Sequence, residues 1–456
     1  MSRKLFPIVS ILLIAAFVLS ACTTPATQAP AEEAAAEAAP AEGGEVYYLN
    51  FKPEVAEIYQ KIAEDYKAET GVTLKVVTAA AGTYEQTLKS EIAKSDAPVL
   101  FQINGPVGYA AWKDYTADLK DIELYQHLSD KSMAVTDGDG VYGIPYVVEA
   151  YGIIYNNAIM EKYFALDGAK AASMAEINNF PKLKEVVEDM TAKKDQLGIE
   201  GVFSSTSLKP GEDWRWQTHL ANVPIFYEFR DNNVDLSDPA ATMEVEFKYS
   251  DNFKNIFDLY LNNSVTEPTL LGSKSVDDSM AEFALGRSAM VQNGDWAWGQ
   301  ISGVEGNVTK EEDVKFLPIY TGVPGEEKQS INVGTENFYA INSQVSPEKQ
   351  KLAADFILWL FSSDTGKAYV TNELKFLAPF DTFAENERPT DPLKLSEAGY
   401  ISNTDLYNVA WNFLVFPSQT FKDNFGAALL QYAQGSMPWD DVKQLFIDQW
   451  KSEKAM

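Results

Sequence analysis

Beyond residue 44 the chain alternates short apolar runs with longer stretches whose apolar residues recur every three or four positions. Glu45–Asn50 reads as a first strand. Residues 53–70 then read as a helix, with Val55, Ile58, Tyr59, Ile62 and Tyr66 on one face and Gly71 as its stop. A second strand is predicted over 72–78, a helix over 84–94 and a third strand over 97–103. Strand and helix in quick alternation are the mark of βαβ units and a mostly parallel sheet. The pattern returns later, with helices over 181–197 and 251–262 and a short apolar strand over 288–292. Residues 337–341 read as a strand, and Ser346 then caps a helix that begins at Pro347 and runs to Phe361. A last helix from Asp440 to Trp450 puts Val442, Leu445, Phe446 and Trp450 on one face. No internal repeat is visible. The sheet pattern in two regions predicts an α/β fold of two lobes, with a ligand cleft between them at the carboxyl ends of strands.

The N-terminus follows a different pattern. Arg3 and Lys4 precede an apolar run over 5–19, followed by Leu19-Ser20-Ala21-Cys22. This is a basic leader, an apolar segment too short to read as a spanning helix, and a small-residue cleavage site. Cys22 is the only cysteine in the chain, so no internal disulfide can form. The string Leu-Ser-Ala-Cys resembles the bacterial lipobox, which implies cleavage before Cys22 and diacylglyceryl modification of its thiol. Residues 1–21 are therefore expected to be a lipoprotein signal peptide. Residues 22–44 are expected to be the lipidated cysteine and a disordered tether, because Ala, Pro, Glu and Thr cannot bury enough surface to offset the entropy of ordering. A lipid, a leash and a globular body describe a protein anchored to the outer face of a membrane and working in solution. No later stretch reads as a membrane span.

Composition narrows the function classes. At 456 residues the chain exceeds what one core usually organises. It is 46% hydrophobic and 23% charged, in the ordinary globular range. A formal net charge of −29 argues against nucleic acid and against adsorption to anionic lipid, since the protein's own field repels polyanions.

Four segments together carry a resemblance to a family. The first is Val141-Tyr-Gly-Ile-Pro-Tyr-Val-Val-Glu149-Ala-Tyr-Gly-Ile-Ile-Tyr-Asn156, opened by the Asp137-Gly-Asp-Gly140 turn. The second is Phe283-Ala-Leu-Gly-Arg-Ser-Ala-Met-Val-Gln-Asn-Gly-Asp-Trp296-Ala-Trp298. The third is Phe316-Leu-Pro318 with Gly334-Thr-Glu-Asn-Phe-Tyr-Ala-Ile-Asn342 and the Pro347 helix, and the fourth is the lipobox with its tether. In this order and spacing the chain resembles the extracellular solute-binding proteins, family 1, of ABC importers: the maltose and oligosaccharide type. The resemblance implies a two-lobe periplasmic-binding-protein fold in which the chain passes between lobes three times. It implies an N-lobe of 45–148 plus 317–374 and a C-lobe of 149–316 plus 375–456. It further implies capture of a mono- or oligosaccharide by lobe closure and delivery to a permease and ATPase complex, by a monomer with no cofactor and no metal.

Sugars offer hydroxyls that both donate and accept, and flat C–H faces that indole and phenol rings cover. With 9 Trp and 22 Tyr, position has to choose among candidates. Trp296 in its Gly-x-Trp setting is the first choice as a stacking platform at a strand's end, against the reading of a core tryptophan, whereas Trp298 is assigned to the core. Glu149, a carboxylate in an otherwise apolar strand, is read as a hydroxyl acceptor rather than a surface group. Asp295 is either a second acceptor or a solvated turn residue. Asn50, Lys52 and Asn104 end strands where the family places polar cleft residues, and Glu336 and Asn337 lie beside the Gly334 turn; each is a ligand candidate or a cap or turn residue. Asn104 stands where many members carry an acidic residue. In Glu212-Asp-Trp-Arg-Trp-Gln-Thr-His219 the family's cleft aromatic is assigned to Trp216. Trp411 and Phe421 flank Pro417, where the family offers a further aromatic, and both stay open.

The competing classes are a secreted carbohydrate-active enzyme and the same fold binding another solute. Acidic pairs are inevitable among 66 Asp and Glu, and no Gly-x-Ser-x-Gly, His-Glu-x-x-His or P-loop is present. His127 and His219, the only histidines, have no triad or metal spacing. The expectation is a binding protein and not an enzyme. A polyamine remains the alternative ligand, since Glu149, Asp295 and Glu336 could surround an amine.

Overall fold

The computed structural model describes residues 43–80, 82–236 and 239–455. The expected signal peptide, Cys22 and nearly all of the tether lie outside the described residues. Among the described residues there are twelve strands: β1 (Glu45–Asn50), β2 (Thr73–Thr78), β3 (Leu100–Ile103), β4 (Val135–Asp137), β5 (Gly140–Pro145), β6 (Glu149–Asn156), β7 (Gly201–Phe203), β8 (Ser288–Gly294), β9 (Val314–Leu317), β10 (Gln329–Gly334), β11 (Phe338–Ile341) and β12 (Tyr407–Ala410). They form two sheets, one ordered β2-β1-β3-β11-β5-β4 and the other β12-β10-β6-β8-β7, with β9 also on β6. Each sheet is the centre of one lobe.

Helices cover both faces of each sheet, so most strands are apolar on both sides. On one face of the first sheet, Tyr59 and Ile62 of helix Ala56–Thr70 pack with Phe356 and Leu360 of helix Pro347–Ser362. On the other, Tyr84 and Leu88 of helix Tyr84–Glu91 meet Leu49, Phe101 and Ile103. The second lobe has a larger aromatic core, in which Trp216, Phe253, Phe257, Phe425, Phe446 and Trp450 are all buried.

The sheets are mixed rather than mostly parallel. β1 runs parallel to β2 and β3, but β11 is antiparallel to both β3 and β5, and β6 is antiparallel to β8, β9 and β10. A chain that leaves a lobe and comes back re-enters with reversed direction, which produces these antiparallel neighbours. The expected lobe limits also shift. β10 pairs with β6 and β12, and Ile319, Tyr320 and Val323 join the second lobe's core. The return to the first lobe therefore falls between Gly334 and Phe338 and not at 317. The last passage comes later as well: Phe376, Phe380 and Phe383 still pack in the first lobe, whereas Leu393 packs in the second. β9 and β10 share one lobe because both lie along β6, β9 at its Ile153–Asn156 end and β10 at its Glu149–Tyr151 end.

Candidate functional site

The first lobe contributes a turn at the end of β1. Asn50 Oδ1 accepts from the Lys52 amide at 3.1 Å, and its Nδ2 donates to the Lys52 carbonyl at 2.8 Å and to Thr78 Oγ1 at 3.1 Å. Asn50 is thus consumed in shaping the turn, and the side chain the turn presents is Lys52. The ammonium of Lys52 lies 2.7 Å from Glu149 Oε1, 3.7 Å from Glu54 and 5.5 Å from the centre of the Trp296 ring. Glu149 opens β6 and Trp296 follows β8, so this contact bridges the two lobes.

Both charges are taken out of water, which is tolerable only when they are paired. Burial by itself pulls the Lys52 ammonium down, but the carboxylates of Glu149, Glu54 and Glu336 outweigh it and hold the group above its ordinary range. Burial raises the Glu149 carboxyl against the opposing pull of Lys52. Glu336, half-buried in the segment after β10, is pushed up to about 7 by burial and by the Glu149 charge.

The second lobe supplies a nest of rings. Around Trp296 stand Trp214 at 5.9 Å, His219 at 6.0 Å and Tyr151 at 6.2 Å between ring centres. His219 connects onward to Trp411 at 5.3 Å and Phe413 at 4.6 Å. Two glycines explain why the indoles sit where they do. A Cβ on Gly294 would fall 2.2 Å from the Trp296 ring, and one on Gly334 would fall 2.6 Å from Trp411. Gly294 and Gly334 face Tyr151 and Glu149 across the sheet, so each tryptophan rests on bare backbone at the edge of β6. The Gly-x-Trp spacing is thereby a seat for the indole.

Several polar atoms here are buried without a hydrogen-bond partner among the described residues: Glu149 Oε2, Tyr151 Oη, His219 Nε2, Thr335 Oγ1, both amide atoms of Asn337, and Trp411 Nε1. Buried polar groups are normally satisfied, so these atoms are left with bonding capacity to spare. Burial, and then the nearby Arg215 charge, hold His219 far below the usual imidazole range, so it is neutral there. Arg215 stacks on Trp214 at 4.0 Å and donates from Nε to Asn293 Oδ1 at 3.2 Å.

The sequence candidates divide. Lys52, Glu149, Trp296, Glu336 and Trp411 meet at the junction. Asn104 is half-buried and precedes Gly105, where a Cβ would fall 3.1 Å from the Leu414 side chain, which packs against cores of both lobes. Trp216 is a core residue instead: its ring packs on Phe257 and Tyr260 and its Nε1 donates to the Ser207 carbonyl at 2.9 Å. Trp214 instead stands beside Trp296 and His219, because residues two apart on a helical turn do not share a face. Phe421 is likewise core, against Phe446 and Trp450, and its neighbour Lys422 faces Glu336 and Glu85. Asp295 is neither a cleft acceptor nor a solvated turn residue; it is buried and bonded to the Ala150 amide and to Lys394. Tyr151, Trp214, His219, Thr335 and Phe413 were not singled out, whereas Asn337 was, beside Glu336. Tyr151 carried a signal, as it lies two positions from Glu149 on the same face of β6.

The lobes also touch where Gly82 faces Gly211 and where helix Gly105–Trp112 packs on Asn412–Val415. Among the described residues no group of three or more His, Cys, Asp or Glu could hold a metal, and no helix is long and apolar enough to cross a membrane.

Comparison with known proteins agrees with this architecture. No curated protein sequence matches the chain. Among solved structures, a chitin oligosaccharide binding protein superposes with a TM-score of 0.69 at 16% identity, over 91% of this chain and all (100%) of that one. RafE in complex with raffinose gives a TM-score of 0.66 at 18% identity, over 89% and 99%. A sugar transporter from Bacillus licheniformis in complex with stachyose gives 0.62 at 15% identity, over 90% and 99%. At such identities the likeness is one of fold. Residues 61–395 match the family described as bacterial extracellular solute-binding protein, whose members bind rather than catalyse. The junction of rings and paired charges thus lies between the lobes of a chain that belongs to the bacterial extracellular solute-binding proteins.

Proposed function

We propose that the protein captures a mono- or oligosaccharide between its lobes and delivers it to an ABC permease and ATPase complex. The observation that carries this is the coincidence of aromatic faces with buried, unpartnered donors and acceptors at the junction: Trp296, Trp214 and Trp411 beside Glu149 Oε2, Tyr151 Oη, His219 Nε2 and Asn337. Rings cover the C–H faces of a sugar, and the polar atoms match hydroxyls that donate and accept at once. The three solved structures named above are, by their descriptions, proteins of oligosaccharides. Ligand contacts made to both lobes favour the closed arrangement. We place the hinge in the segments 145–149, 334–338 and 383–393. Residues 1–21 act as a signal peptide and Cys22 as the lipid anchor of a monomer working outside the cytoplasm. No catalytic step is proposed.

The test is calorimetry against mono-, di- and trisaccharides, with X-ray scattering on the best ligand. Saturable binding accompanied by a smaller radius of gyration is expected. Absence of binding across saccharides, or hydrolysis of one, would sink the proposal. A second reading, an amine-bearing solute, is favoured by one observation: an ammonium, that of Lys52, already sits against Glu149 and over Trp296. Binding of spermidine in preference to every saccharide would select it.

A further inference from the structure

The proposed capture uses Glu149 and Trp296, and both are held from behind by one buried cluster of charges. Asp295 precedes Trp296, and its Oδ2 accepts from the Ala150 amide at 3.1 Å while its own amide donates to the Ala150 carbonyl at 3.0 Å. The Lys394 ammonium bonds Asp295 Oδ2 and also donates to the Val148 carbonyl at 3.3 Å. Val148 and Ala150 flank Glu149 on either side. Lys394 lies in the first turn of helix Pro392–Ile401, which Asp391 caps by accepting from the Leu393 and Lys394 amides, and Glu397 Oε2 stands 3.2 Å from the ammonium. The Val148 amide donates in turn to the Leu377 carbonyl at 2.8 Å, so two interlobe segments are fastened at the same point.

We infer that Lys394, acting through Asp295, is a positioning residue for the ligand site, setting the register of Glu149 and the seat of Trp296. Asp295 and Lys394 bond the backbone on either side of Glu149, and their charges also bear on its carboxyl, Asp295 pushing it up and Lys394 drawing it down. The cluster's geometry explains why charges are used where apolar packing would fill the space. A carboxylate and an ammonium bond backbone groups directionally, and the bonds of Asp295 and Lys394 to the backbone on either side of Glu149 stiffen it there. The carboxylates of Asp295 and Glu397 outweigh the effect of burial and keep Lys394 charged, while burial holds Glu397 far above the usual carboxylate range. A slip of β6 by one residue would turn Glu149 to the other face.

This inference rests on the proposed ligand site, and its test separates the two. Removing Lys394 alone would strand a buried carboxylate, so both charges are removed together in Asp295→Asn/Lys394→Met. Hydrogen exchange on the ligand-free protein is expected to rise about tenfold or more at 148–151 and 294–298, the worth of a lost bond to a charged group. Helix Trp439–Lys454 should exchange as in the wild type, and so should Glu397→Gln at 148–151, since it keeps both backbone bonds. With raffinose and maltotriose as probes, the double variant should bind about tenfold or more weakly whichever the wild type binds. Unchanged exchange at both segments, a uniform rise that includes Trp439–Lys454, or undiminished affinity would overturn the inference. If the wild type binds neither probe, the saccharide proposal fails on them, and the exchange measurement still decides the role of Lys394.

Discussion

The two lobes meet at one junction but bring different things to it. The second lobe brings the rings, Tyr151, Trp214, His219, Trp296, Trp411 and Phe413, together with most of the unpartnered donors and acceptors. The first lobe brings a single buried ammonium, Lys52, on a turn whose own polar groups are internally satisfied. On the proposed reading, the second lobe holds the ligand and the first comes down upon it. A site divided in this way lets affinity be set in one lobe and closure in the other.

The largest effect expected concerns what is not in the site. Trp216→Ala should cost about 3–5 kcal/mol of folding stability, read by denaturant unfolding, because it leaves a cavity in the second lobe's core. Ligand affinity in the surviving folded protein should change little; a loss as large as that of Trp296→Ala would put Trp216 back among the binding residues. Trp296→Ala should weaken the best saccharide by about 2–3 kcal/mol in calorimetry while leaving the melting temperature of the free protein nearly unchanged. If affinity survives, the ring nest is not the platform and the contrast between lobes falls.

The smallest effect is a pH dependence. Glu336 titrates at about 7 in the folded protein, well above an ordinary carboxyl. Between its unfolded value and about 7 the folded chain keeps a proton that the unfolded chain has released. Its contribution to stability is therefore present at low pH and lost as pH rises through 7. Glu336→Gln should remove about 1–2 kcal/mol from the difference in stability between pH 5 and pH 8, screened because the group is half-buried. A variant with the wild-type slope would show that another group carries it.

Much of this was legible in the chain. Strand β1 appears at the residues its alternation predicts, and the Gly71 stop and the Pro347 start of two helices are where their punctuation puts them. Glu149 and Trp296 were identifiable because each breaks a local pattern, a charge inside an apolar strand and a large ring after a glycine. Trp214 and Trp216 were not separable by content, since both are indoles in one polar segment. Only the direction of the helical turn decides which points into the core. Asp295 could be read only as a ligand acceptor or a solvated turn residue, because its partner, Lys394, is 99 positions away.

By itself the sequence determined what local chemistry dictates: most element types, several of their caps, the Gly-x-Trp setting of Trp296, and the membership of a family. The tertiary structure alone decided which lobe β10 joins, which aromatic faces the junction, and that Lys52 reaches Glu149 across it. Those outcomes depend on contacts between distant segments. Their strength comes from burial that exists only once both lobes have formed, so no window of sequence contains it.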